Sequence, residues 1–93
     1  MKKLKGKPLV AVEWHDAGQP IPRWQYLEGL EPARTVRCIS VGFLLENGPV
    51  NTVIAPNLGS GFSDGEWDQA SGLITIPTSC ILKTRKLSVS AKS

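Results

Sequence analysis

Between residues 9 and 87 the apolar positions come in short runs, and most runs alternate with polar residues at a spacing of two. Residues 9–14 place Val10, Val12 and Trp14 on one face, the pattern of a half-buried strand. Residues 34–45 form the longest strand candidate, with Val36 and Cys38 on one face and Arg37, Ile39 and Val41 on the other. Gly42 interrupts it, and an internal glycine in so long a strand marks a bulge or bend. Asn47-Gly48 then leads to a third run over 50–55, which Pro56 ends. Asn-Gly between apolar runs predicts a type I′ hairpin, because both of its central residues need positive φ. Residues 73–76 and 81–87 read as two more strands, separated by a tight turn at 77–79.

Two stretches break the alternation. Trp24, Leu27 and Leu30 recur at helical spacing, but Pro22 and Pro32 bound them, so the segment predicts at most one short helical insert. Residues 57–72 form a polar connection carrying Gly59, Gly61, Gly65 and Gly72, longer than the loops that join strands in small domains. Five short strands with a bent second strand predict an all-β domain over 9–87, a small, partly closed barrel of SH3-like or Sm-like type. A flat sheet is the alternative, and it would leave long apolar edges unprotected. Residues 1–8 are expected to be a basic flexible tail and 88–93 a polar one.

Composition agrees with many turns around one modest core: 93 residues, 41% hydrophobic, with nine glycines and seven prolines. The net charge of +3 gathers at the start, where Lys2, Lys3, Lys5 and Lys7 form a solvated tail or a weak grip on phosphate. The apolar run at 9–12 is too short for a secretory signal or a membrane span, so a cytoplasmic protein is expected. Cys38 and Cys80 then read as buried thiols rather than a disulfide.

Catalytic chemistry finds little support. His15-Asp16 is the only His–carboxylate pair, and adjacent loop residues rarely meet in the geometry of a base and its orienter. Asp64, Glu66 and Asp68 alternate like the start of a calcium loop, but Gln69 and Thr75 stand where its Gly and closing Glu belong. No enzyme, metal or cofactor is therefore expected. Binding chemistry is better represented. Residues 59–65 lack a nucleotide-binding fingerprint yet carry backbone N–H groups that could form an anion-binding concavity. Trp14, Trp24, Tyr26, Phe62 and Trp67 offer stacking surfaces, although Trp14 and Trp24 also suit a barrel core. Arg34 and Arg37 would join Lys83, Arg85 and Lys86 in a basic stripe if their strands are neighbours. The expected ligand-binding set is Gly59, Ser60, Gly61, Phe62, Trp67, Arg85, Lys86, Arg37 and Trp24.

Val-Glu-Trp at 12–14, Ser-Val-Gly-Phe-Leu at 40–44, Val-Ile-Ala-Pro at 53–56 and Ile-Pro-Thr-Ser-Cys-Ile at 76–81 resemble small uncharacterised proteins of tailed bacteriophages and prophages. The resemblance covers residues 9–87 and brings no catalytic residues with it. It implies phage origin and expression in the cytoplasm of a bacterial host. By analogy of size and class, it points to phage sponges that sequester the cyclic nucleotide signals of host immunity. The expectation is a non-enzymatic homo-oligomer, without membrane contact, that binds an anionic nucleotide-like signal or a host defence component. A single-stranded nucleic-acid binder of Sm-like or OB-like type and a minor virion structural protein are the alternatives.

Overall fold

β1 (Leu9–Asp16), β2 (Val36–Asn47), β3 (Asn51–Ala55), β6 (Ile74–Pro77) and β7 (Ile81–Lys86) fall where alternation predicts strands. Two short additions, β4 (Asn57–Gly59) and β5 (Gln69–Ser71), lie within the expected polar connection. A 3₁₀ turn, Thr78–Cys80, precedes β7, and no α-helix occurs among the described residues. The structure is a computed structural model that describes residues 7–18, 20–61 and 66–88; most of the expected Lys-rich tail, Gly65, and all but Ser88 of the expected polar tail lie outside them. The five longer strands form one antiparallel sheet in the order β6-β3-β2-β1-β7, and β4 pairs with β5 as a separate hairpin.

The register explains the core. Val10 faces Gly42, Val12 faces Ser40 and Trp14 faces Cys38, so all six share one side of the sheet. Val10, Val12 and Trp14 bury there with Ile54 of β3 and Ile76 of β6, edged by Leu44, Ile74, Cys80 and Ile81. The Trp14 indole N–H donates to Ser40 Oγ at 3.0 Å, so the indole enters the core without an orphaned donor.

β6 and β7 lie at opposite edges of the sheet, yet only the 3₁₀ turn joins them. In a flat sheet four strand spacings would separate them by roughly 19 Å. The four residue steps from Pro77 to Ile81 reach at most about 14 Å, and less in a 3₁₀ conformation. The sheet must therefore curl, and register shifts between Glu13 and Trp14 and between Leu44 and Glu46 mark where its pleat is broken. β6 and β7 share no ladder, so the described residues form an open, curled sheet.

Gly42 works differently from a bulge. A Cβ there would lie 2.8 Å from the Ala55 carbonyl oxygen and 2.9 Å from its carbon, so the residue is small because the end of β3 passes against it. The expected hairpin after β2 is present, but neither Asn47 nor Gly48 has positive φ, which corrects the type I′ assignment. Pro49 follows Gly48 and disfavours that geometry. The Gly48 N–H instead donates to the Asn51 carbonyl at 2.9 Å. This hairpin also anchors the 3₁₀ turn: Thr78 donates its N–H to Val50 O at 2.9 Å and its hydroxyl to Gly48 O at 2.8 Å. With that proton committed, the buried Thr52 hydroxyl donates to Thr78 Oγ1 at 2.9 Å.

Residues 17–18 and 20–35 leave the sheet as an arm between β1 and β2. The predicted helical insert does not form. The nine residues between Pro22 and Pro32 are fewer than the ~12–15 that an isolated helix needs, and no apolar surface lies against the segment to stabilise a shorter one. Its tip is a β-turn, in which the Leu30 N–H meets Leu27 O at 3.4 Å and Gly29 takes a φ of 84°. That is the third-position geometry of a type II turn.

Candidate functional site

The residues expected to line one ligand mouth fall in three places. Phe62 lies outside the described residues.

The first place is the outer face of the sheet, opposite the core. Glu13 pairs with Ile39 on β2 and Lys83 on β7, while Ala11 pairs with Val41 and Arg85, and His15 with Arg37. Cross-strand partners share a face, so these side chains lie together. The Arg37 guanidinium donates to Glu13 Oε1 at 2.7 Å, and Arg85 Nη2 lies 3.7 Å from Oε2. The Arg37 hydrogen bond holds the Glu13 carboxyl below its ordinary range; partial burial opposes this, and the charges of Arg37, Arg85 and Lys83 reinforce it. β1 thus separates the two basic strands and sets a carboxylate between them, so they do not form the continuous stripe that adjacency would give. Lys86 pairs with Val10, and by alternation it leans to the opposite side from Arg85. Beside the charges, Ile39 and Val41 are 60% and 52% exposed.

The second place is the β4–β5 hairpin. Gly61 donates its N–H to Asp68 Oδ1 at 2.6 Å, and the Asp68 N–H donates to Gly59 O at 3.0 Å. A carboxylate of the chain therefore occupies the donor that Gly61 would offer to a bound anion. Ser60 and Asp68 make further interactions of their own. Trp67 borders a shallow concavity with Lys7, Leu45 and Leu58, and Arg37, Arg85 and Lys86 do not line it.

The third place is the arm. Trp24 is 101% exposed, Tyr26 91% and Leu27 86%, with Ile21 and Leu30 also in solvent. Trp24 is thus no core residue, because its segment does not pack on the sheet. At the base a Cβ on Gly18 would lie 3.0 Å from the Arg34 carbonyl oxygen. Ile21, Arg23, Leu30 and Pro32 line one groove between the limbs, so the limbs run side by side.

Leu27, Ile39 and Val41 were not singled out by sequence reasoning as binding residues, and Tyr26 only as a stacking surface outside the expected ligand-binding set. The available signal was apolar side chains between prolines, without the alternation that would tie them to a sheet face. Cys38 and Cys80 are free thiols beside the core. His15 is exposed, and among the described residues no three His, Cys, Asp or Glu side chains are grouped to hold a metal; Asp64 lies outside those residues. No helix among them is long and apolar enough to cross a membrane.

No protein family, curated protein or solved structure matches this chain.

Proposed function

We propose that this chain is a non-enzymatic binding module in which a partly closed, SH3-like barrel holds out an aromatic arm for a protein partner. The observation that carries the reading is the exposure of Trp24, Tyr26 and Leu27 together at the end of a proline-bearing arm. Each large apolar side chain left in water forgoes roughly 1.5–3 kcal/mol that burial would recover, so a cluster of three is better explained by a partner than by the free chain. The barrel assignment is supported by the strand order and by the 3₁₀ turn that bridges the two edge strands.

In keeping with the resemblance to small tailed-phage proteins, the module acts in the cytoplasm of a bacterial host, on a phage assembly or a host defence component. Sequestration of an anionic nucleotide draws less support, because its expected residues lie in three places and Asp68 already occupies the Gly61 donor.

Photo-crosslinking in the full chain tests this reading. A photoreactive residue replacing Trp24 is expected to give protein adducts in expressing bacteria. Adducts to nucleic acid or nucleotides alone, or protein adducts from position 67 but none from position 24, would overturn it.

A further inference from the structure

We infer that the arm tip of one copy, residues 24–31, seats on the outer sheet face of a second copy, which returns its own arm in exchange. The inference rests on reading the arm as a protein-docking element, and it names the partner.

The two surfaces match in kind and in sign. The tip presents Trp24, Tyr26, Leu27 and Leu30 with two acidic residues, Glu28 and Glu31, and no basic one, so its formal charge is −2. The outer face presents Ile39 and Val41 among Arg37, Lys83 and Arg85, with Glu13 as the one carboxylate of that cluster. Three positive charges less one negative leave +2. An apolar, acidic finger therefore meets an apolar, basic platform, and such complementarity selects partner and register.

The chain's own arm does not cover this platform, since Ile39 and Val41 stay more than half exposed beside it. Pro20, Pro22 and Pro32 fix φ on both limbs and stiffen the arm against folding back. Exchange between two copies lets each surface be used once, and a two-fold axis closes the assembly. Two seatings, each burying an indole and a phenol of roughly 150–250 Å² apiece against an equal area of sheet, come to roughly 1,200–2,000 Å² before the leucines are added. Stable interfaces have that size.

A charge swap tests the exchange. One full-length variant carries Glu28→Lys and Glu31→Lys, which turns its tip positive; the other carries Lys83→Glu and Arg85→Glu, which turns its face negative. In sedimentation velocity the unaltered chain is expected to be a dimer at micromolar concentration, and each variant alone to associate at least about tenfold more weakly. An equimolar mixture should recover the dimer, because both of its seatings again join opposite charges. Trp24→Ala, which lies outside the sheet, should also weaken association while leaving thermal unfolding of the monomer unchanged. This keeps the test decisive if the face variant fails to fold.

A monomeric unaltered chain, tip variants that associate normally, or a mixture that does not recover would each overturn the inference. Protein adducts at position 24 to a different protein, with a monomeric chain in sedimentation, would overturn this inference alone. No protein adduct at that position would overturn the docking reading beneath it as well.

Discussion

Trp14 and Trp24 stand ten positions apart and have opposite fates. Trp14 lies on β1, is 8% exposed, and donates its indole N–H to Ser40. Trp24 lies on the arm and is wholly exposed. The residues themselves are identical, so the contrast comes from the backbone that carries them. β1 is paired on both sides, by β2 and β7, and its alternate side chains all reach one curled concave face. The arm has a proline in each limb, a single backbone hydrogen bond at its tip turn and no apolar layer against it. Apolar side chains on a paired strand build the monomer, whereas those on an unpaired, stiffened loop are available to something else.

The strongest way to break this comparison is to remove both indoles in turn. Trp14→Ala should destabilise the monomer by about 3–5 kcal/mol, the usual cost of deleting a large core aromatic. Trp24→Ala should stay within about 0.5 kcal/mol, as substitutions away from packing do. Urea unfolding followed by far-ultraviolet circular dichroism, at concentrations low enough to keep the chain monomeric, measures both. Equal losses would mean that the arm packs on the sheet in solution, and the division between the two regions would then be wrong.

The same division decides what could be read in the sequence. The strands of the curled sheet were legible because burial on one side imprints a period of two, as at Val10, Val12 and Trp14. The 3₁₀ turn was legible as a tight turn because Pro77 cannot continue a ladder beyond an edge strand. The β4–β5 hairpin was not, since two three-residue strands of Asn-Leu-Gly and Gln-Ala-Ser carry no period at all. The Asn47-Gly48 pair marks the hairpin but not its turn type, because Pro49 disfavours the left-handed backbone that a type I′ turn needs at Gly48. For the candidate site, Arg37 and Arg85 were legible as surface cations. Glu13 between them was not, because only the strand order reveals that β1 separates β2 from β7. The arm misled for a related reason: helical spacing at Trp24, Leu27 and Leu30 implies a face to bury, and the fold supplies none.

A smaller effect sharpens the sheet side of the comparison. Gly42→Ala adds a Cβ against the Ala55 backbone, where 2.8 Å leaves no room and no flexible side chain can move aside. We expect a loss of about 1–3 kcal/mol, the range for overpacking a well-filled site. Gly29→Ala on the arm meets no atom within 4 Å, so any loss there comes only from its positive φ and falls on the tip turn rather than on the sheet. Chemical denaturation of the pair separates the two causes. A Gly42→Ala chain as stable as the original would show that β3 does not pass so close to β2.

The finest test concerns charge on the sheet's outer face. Arg37 holds the Glu13 carboxyl below its ordinary range in the folded chain, whereas the unfolded chain leaves it there. As pH falls, the unfolded state takes up the proton first, so the contribution to stability is complete above the ordinary glutamate range and fades as pH drops through the lowered folded value. Glu13→Gln should therefore be less stable than the original at neutral pH, and the two should converge in acid. Measuring both in a Trp24→Ala background keeps association through the arm out of the comparison. Arg37→Gln should show a loss over the same pH window, and adding it to Glu13→Gln should cost less than the two separate losses combined, because each removes the same bond. If the curves stay parallel into strong acid, the loss is one of packing, and the Arg37–Glu13 pair does not set the pH response of the sheet.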